Sequence, residues 1–207
     1  MFTATLALML VLGAGMQDHK PDDIVEVKEV CPTIRYELRY GTPRNGVKRA
    51  VYPKGSRCML RRSAAERLCL VQKRLEKVNL GLKIWDGYRP PSAQQALWDV
   101  MPDSRFVAPP KTGSKHNRGA AVDLTLVDAK GRELKMPTDF DTFSPAAHPN
   151  YAGGTEESRT NRDTLRAAML AEGFMPDKNE WWHFNAPDWE KFAIVDVPLV
   201  APSQKSP

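Results

Sequence analysis

Ser114-Lys115-His116-Asn117-Arg118-Gly119-Ala120-Ala121-Val122-Asp123-Leu124-Thr125-Leu126-Val127 runs from a polar turn into an apolar strand, and Asp128-Ala129-Lys130-Gly131 then turns the chain back. A strand left through a tight turn pairs antiparallel with the next segment, because a parallel partner needs a long crossover. Upstream, Leu82-Lys83-Ile84-Trp85-Asp86 reads as a short strand left through the stiff turn Gly87-Tyr88-Arg89-Pro90-Pro91. Thr33 to Tyr40 alternates with period two and reads as another strand, and Trp181 to Asn185 as the last. Short strands with hairpin-like connections argue against a doubly wound parallel sheet. The expected fold is α+β: a single domain with helices packed on a mainly antiparallel sheet.

Three helices are expected. Ser63-Ala64-Ala65-Glu66 has the form of a capping box, and Ala65, Leu68, Val71, Leu75 and Val78 come after it at helical spacing on one face, with Gly81 as the stop. Ser92 with Gln95 caps a second helix running to about Met101. The third spans Glu156 to Glu172 and is stopped by Gly173. Residues 102–113 and 137–154 read as loops, the second long enough in a compact domain to suggest a functional role. The tail from Pro198 is expected to fray.

The chain has 207 residues, enough for one sizeable core and short for two domains. Residues 2–15 carry no charge and are too short to span a bilayer comfortably, but they fit the apolar centre of a secretory signal, with Gly13 and Gly15 placed for cleavage. The expectation is a signal peptide over residues 1–15, a mature domain over 16–207 with no stable membrane span, and export to the periplasm or the extracellular space. Were the run not a working signal, the chain would stay in the cytoplasm. The net charge of +5 is scattered, with no interleaved basic and aromatic stripe, so no nucleic-acid partner is expected. Cys31, Cys58 and Cys69 form no Cys-x-x-Cys pair, which excludes a structural zinc of that kind. Cys69 lies mid-helix and reads as a buried thiol; if an oxidising compartment forms one bridge, Cys31–Cys58 is the expected pair. Oligomeric state is not legible.

The chemistry lies in few residues. Two of the four histidines, His116 and His183, fall in polar–apolar motifs, with Asp123 on the strand after the first. Two imidazoles and one carboxylate fill three positions of a tetrahedral zinc and leave the fourth for water. Glu180, three residues before His183, is placed to take a proton from that water, so the set points to metal-assisted hydrolysis with one zinc per chain. On a regular strand residues three apart face opposite ways, so Glu180 must come from the preceding turn or a bulge must intervene. Arg89, on its stiff turn, is either an oxyanion stabiliser or the ion-pair partner of Asp86. Ser114 lacks the glycine-flanked turn of a nucleophile and reads as a hydrogen-bonding residue.

Taken together, Arg35-Tyr36-Glu37-Leu38-Arg39-Tyr40-Gly41-Thr42, Trp85-Asp86-Gly87-Tyr88-Arg89-Pro90, the block from Ser114 to Leu126 and Glu180-Trp181-Trp182-His183-Phe184 resemble the VanX-type D-alanyl-D-alanine dipeptidases, a branch of the zinc D,D-peptidases. The resemblance covers most of the mature chain. It implies a small α+β fold shared with D,D-carboxypeptidases and hedgehog-type domains, and a small dipeptide as substrate. It implies zinc on His116, Asp123 and His183, Glu180 as general base, and Arg89 at the transition state. Tyr40 and Ser114 would line the pocket, and Asp141 would meet the substrate ammonium. Pro137 stands where the family commonly has Gly, and Asn117 where it often has Ser. The kinship also implies two alternatives: a D,D- or L,D-carboxypeptidase acting on cell-wall peptides, and a zinc-stabilised binding module without catalysis.

Overall fold

A computed structural model describes residue 20 and residues 22–201. The expected signal peptide and the last six residues lie outside them. In chain order the elements are β1 (Ile24–Glu26), α1 (Val27–Val30), β2 (Arg35–Tyr36), β3 (Met59–Arg61), α2 (Arg62–Glu76), β4 (Leu80–Asp86), α3 (Pro91–Val100), β5 (Ala121–Asp128), α4 (Glu156–Ala171), β6 (Met175–Pro176) and β7 (His183–Asn185). A five-stranded sheet runs β2-β4-β5-β7-β6, and β1 pairs with β3 in a separate ribbon. Only β2 and β4 are parallel; the other pairs are antiparallel. The fold is α+β, as the short strands and hairpin-like connections imply.

The central pairing sets both faces of the sheet. Leu82 lies opposite Leu126 and Ile84 opposite Leu124, all four fully buried. Directly paired residues project to one side, and α2 and α4 pack against β4 and β5. In α2, Ala65, Leu68, Val71 and Leu75 are buried as their spacing implies. Lys83, Thr125 and Asp123 alternate to the other side.

Several local readings need correction. The stretch Thr33–Tyr40 is not one strand: after Tyr36 the chain closes a 3-10 turn, Arg39–Gly41, with the Gly41 N–H donating to Leu38 O. The first long helix has no capping box, because Ser63 already lies inside its first turn and Arg61 is the N-cap. It ends at Glu76, before Gly81, which lies within β4. The reversal is made by Asn79 at φ +60°, a conformation asparagine tolerates better than most residues, so Val78 falls outside the helix and is exposed. Helix α3 starts on Pro90 and Pro91, whose fixed φ suits a first turn, with no side-chain cap from Ser92. The last strand begins at His183, two residues later than expected, and the short β6 beside it carries no signal in the sequence.

The three cysteines are buried free thiols, so the expected Cys31–Cys58 bridge is absent. Cys69 Sγ faces Val30 O at 3.7 Å, whereas Cys58 Sγ lies 3.6 Å from where a Cβ on Gly87 would be. The tail stays attached beyond Pro198, since Leu199 is buried and its carbonyl accepts the Arg57 N–H at 2.8 Å. Among the described residues no helix is long and apolar enough to cross a membrane.

Helix α4 is capped by Thr155, whose Oγ1 accepts the Ser158 N–H at 3.1 Å. Loss of such a cap costs about 1 kcal/mol. Thr155→Ala is expected to lower the unfolding free energy by about that amount, read by urea titration, with activity retained.

Candidate active site

The site forms where three strands lie side by side. Register sets Asp86 of β4 opposite Asp123 of β5, and Asp123 opposite His183 of β7. Asp86 enters this row only because the register shifts between Ile84 and Asp86. Without that bulge Asp86 would share the face of Ile84 and point under the helices; the extra residue re-aims it toward Asp123.

His116 comes from the 3-10 turn His116–Arg118 that leads into β5. Gly119 ends this turn at φ +67°, and a Cβ there would lie 2.5 Å from Ile24 Cδ1, so the position needs glycine. The turn is laced to the loop after β4: the Arg89 N–H donates to His116 O at 3.1 Å, and Asn117 Nδ2 to Arg89 O at 2.7 Å. Arg89 and His116 therefore hold a fixed relation to each other.

His116, Asp123 and His183 offer ligand atoms within 4.8 Å of one another. The outer nitrogen of each imidazole faces an oxygen: His116 Nδ1 lies 2.8 Å from Gly87 O, and His183 Nε2 lies 2.9 Å from Asn185 Oδ1. Both oxygens accept, so each outer nitrogen carries the proton and each inner nitrogen presents a lone pair. Those inner atoms, His116 Nε2 and His183 Nδ1, are 3.1 Å apart. Asp123 Oδ1 stands 2.9 Å from His183 Nδ1, and Asp123 Oδ2 3.4 Å from His116 Nε2. Two lone pairs and a carboxylate so close repel unless a cation lies among them, and the donor set fits zinc. A proton is the other way to relieve it. Burial lowers the basicity of His183, but Asp123 and Glu180 outweigh it and push His183 up to about 9. Burial raises Asp123, yet His116 and His183 hold it well below the usual carboxylate range.

Glu180 stands outside this ligand group, on the turn before β7, where the His183 N–H donates to Glu180 O at 3.3 Å. The turn resolves the period-two conflict without a bulge in β7. Burial, reinforced by Asp123, Asp141 and Asp177 against the pull of His183, lifts the Glu180 carboxyl to about 8. In the core next to Glu180 and His183 in sequence, Trp181 and Trp182 pack with Trp85 and Phe140 edge-on or tilted, with centroids 5.5–5.9 Å apart.

Arg89 is the ion-pair partner of Asp86. Its Nε and Nη2 donate to Asp86 Oδ2 at 3.0 and 2.8 Å and its Nη1 to Gln94 Oε1 at 3.0 Å, while Nη2 lies 3.8 Å from Asp123. Asp86 is further fixed by the Tyr52 hydroxyl at 2.6 Å. The guanidinium stacks 4.8 Å over the Tyr40 ring. Tyr40 OH in turn donates to Asp141 Oδ1 at 3.3 Å, and Asp141 Oδ2 accepts the Gly46 N–H at 2.8 Å. Ser114 Oγ accepts the Asn117 N–H at 3.2 Å.

Tyr40, Arg89, Ser114, His116, Asp123, Asp141, Glu180 and His183 all line one cavity of about 430 Å³. None of the expected site residues lies apart from it. Sequence reasoning missed Asn185 and Tyr52. Asn185 had a signal, since it lies two residues from His183 on the same face of the strand. Tyr52 had none, because only the folded chain brings it to Asp86.

Residues 20–198 match the model of a peptidase family described as D-ala-D-ala dipeptidase. Curated relatives named D-alanyl-D-alanine dipeptidase include one from Escherichia coli, 33% identical over 84% of this chain and 89% of its own length. Another, from Streptomyces coelicolor, is 32% identical over 78% of this chain and 90% of its own. A third, from Enterococcus faecalis, is 28% identical over 77% of this chain and 89% of its own.

Proposed function

The chain belongs to this peptidase family, and from that premise we propose that it hydrolyses D-Ala-D-Ala to two D-alanines with one zinc per chain. The observation that carries this reading is the meeting, in one cavity, of a three-ligand cluster, a recessed carboxyl outside it and a second carboxyl paired with a tyrosine. A zinc on His116, Asp123 and His183 would polarise the scissile carbonyl and acidify a water.

The protein residues do the rest. Glu180 takes the proton of the attacking water and returns it to the departing amine, a role suited to a carboxyl held near neutrality. Arg89, fixed by Asp86 and Gln94, faces the oxyanion as it develops. Asp141 and the Tyr40 hydroxyl receive the substrate ammonium, and Ser114 borders the dipeptide. The presence of Glu180 and Arg89 argues against a binding module, since holding a metal needs neither.

One observation favours a second reading, a D,D- or L,D-carboxypeptidase acting on cell-wall peptides. Beside the cavity lies an outer hollow of about 550 Å³ that shares Arg105, Phe106, Phe143 and Lys178 with it. It would receive the rest of a longer chain. Zinc-loaded protein assayed on D-Ala-D-Ala, L-Ala-D-Ala and a wall pentapeptide decides between the two. Turnover of the first alone supports the dipeptidase, and preference for the pentapeptide the carboxypeptidase. The uncharged run at residues 2–15 supports action outside the cytoplasm.

The metal assignment makes its own prediction. Elemental analysis of gently purified protein is expected to give one zinc per chain, and His116→Ala or His183→Ala to lose it. Undiminished zinc in both variants would sink the ligand set.

A further inference from the structure

A free dipeptide carries a carboxylate as well as an ammonium, and a carboxylate drawn out of water needs a cation or strong donors. Five Lys or Arg residues line the cavity: Arg89, Arg105, Lys115, Arg118 and Lys178. Three are already engaged. Arg89 is clamped by Asp86 and Gln94 through Nε, Nη1 and Nη2, and the N–H groups it has left belong to the oxyanion in the proposed reaction. Arg105 forks onto both oxygens of Asp103, and Arg118 donates to Phe192 O. Lys178 is exposed at the outer hollow.

Lys115 differs from the three arginines in making no side-chain hydrogen bond among the described residues, although Arg118 shares its Trp189 ring at 5.8 Å, and from Lys178 in its burial. It is half-buried, and no carboxylate among the described residues pairs with it. Its Nζ sits 4.9 Å over the ring of Trp189, which also lines the cavity. A ring face steadies an ammonium without using up its N–H donors. The Lys115 backbone is fixed as well: its carbonyl accepts the N–H groups of Arg118 and Ala120, both at 3.1 Å, and it directly precedes the ligand His116. Asp141, by contrast, enters the cavity from the loop after β5, paired with Tyr40.

We propose that Lys115, steadied by Trp189, binds the C-terminal α-carboxylate of the substrate and makes a free carboxyl terminus a specificity requirement. This deepens the dipeptidase reading and rests on it. Asp141 and Lys115 then read the two charged ends of the dipeptide while the scissile carbonyl lies at His116, Asp123 and His183.

The test compares D-Ala-D-Ala with its C-terminal amide on wild-type, Lys115→Gln, Lys115→Arg and Lys178→Gln proteins. A hydrogen bond to a charged group is worth about 1.5–3 kcal/mol, or about 10–150-fold. Lys115→Gln is expected to raise KM for the acid by that factor with kcat little changed, and to leave the amide unaffected. Lys115→Arg should restore most of the loss, and Lys178→Gln should alter neither substrate. Equal losses on acid and amide, no loss on either, or the effect appearing in Lys178→Gln would overturn the assignment. Calorimetry of both ligands on a Glu180→Ala background, with and without Lys115→Gln, reads binding independently of turnover. If wild-type protein cleaves neither ligand the dipeptidase reading fails, and calorimetry still decides whether Lys115 distinguishes acid from amide.

Discussion

Glu180→Ala protein is expected to keep its zinc and to lose between about a hundredfold and ten-thousandfold in kcat, the usual worth of a positioned general acid–base group. The two halves of this expectation have separate causes. Zinc is retained because Glu180 lies outside the group formed by His116, Asp123 and His183. The rate falls because the other carboxyls at the site are engaged: Asp123 faces both histidines, Asp86 holds Arg89 and Tyr52, Asp141 holds Tyr40 and Gly46, and Asp177 accepts the Asn179 N–H. None is free to carry the proton from water to the leaving amine. Glu180→Gln separates proton transfer from packing, since the amide fills the same space and cannot accept the proton. Metal analysis and kcat on the same preparations settle it: near-normal turnover with zinc present removes Glu180 from the reaction.

The sequence made some of this site legible and concealed the rest, for physical reasons. His116 and Asp123 could be read together because a turn closed by glycine leads straight into a strand. Period-two geometry, which forbids Glu180 from sharing a strand face with His183, left a preceding turn or a bulge, and the structure has the turn. The register shift before Asp86 was hidden: Leu82 to Asp86 reads as a short strand with no sign of a bulge, yet the bulge decides whether Asp86 meets Asp123 or the helices. Tyr40 reads as the end of a strand, but the turn at Arg39–Gly41 carries it over Asp141 and under Arg89. Arg39 is fully buried against Glu133 and Asp139, partners from about a hundred residues away, and local alternation carries no trace of such contacts. The caps failed likewise: Ser63 and Ser92 have the right spacing, but Arg61 and Pro90 start the helices because the preceding strand and turn fix where the backbone first turns. Features that depend on spacing along one element were readable, and features that depend on register between elements were not.

Blocking the amine is expected to cost the enzyme nearly as much as replacing Glu180. N-acetyl-D-Ala-D-Ala presents no ammonium, so Asp141 would remain buried beside it without a charged partner. Breaking a buried ion pair in this way costs roughly 3–5 kcal/mol, which is about two orders of magnitude or more in kcat/KM. Asp141 is suited to this discrimination. Its backbone is held at φ +53°, Gly46 and Tyr40 fix its oxygens, and burial lifts its carboxyl to about 7 despite the opposing Gly46 hydrogen bond. An ammonium stabilises the charged form and a neutral acetamide does not. The direction of the pH dependence is set by the same group: below about 7 the free carboxyl takes up a proton and the attraction is lost. KM for D-Ala-D-Ala should therefore rise as pH falls, while the acetylated peptide shows no such rise. Asp141→Ala should narrow the gap between the two substrates, by weakening the free dipeptide more than the blocked one, and should flatten that pH dependence. Steady-state kinetics on the pair, in wild-type and variant protein from about pH 5.5 to about 8.5, reads all three. Equal kcat/KM on free and acetylated dipeptide in the wild type would instead mean that the amine end lies in an open cleft, with the outer hollow beyond Phe143 receiving a longer peptide.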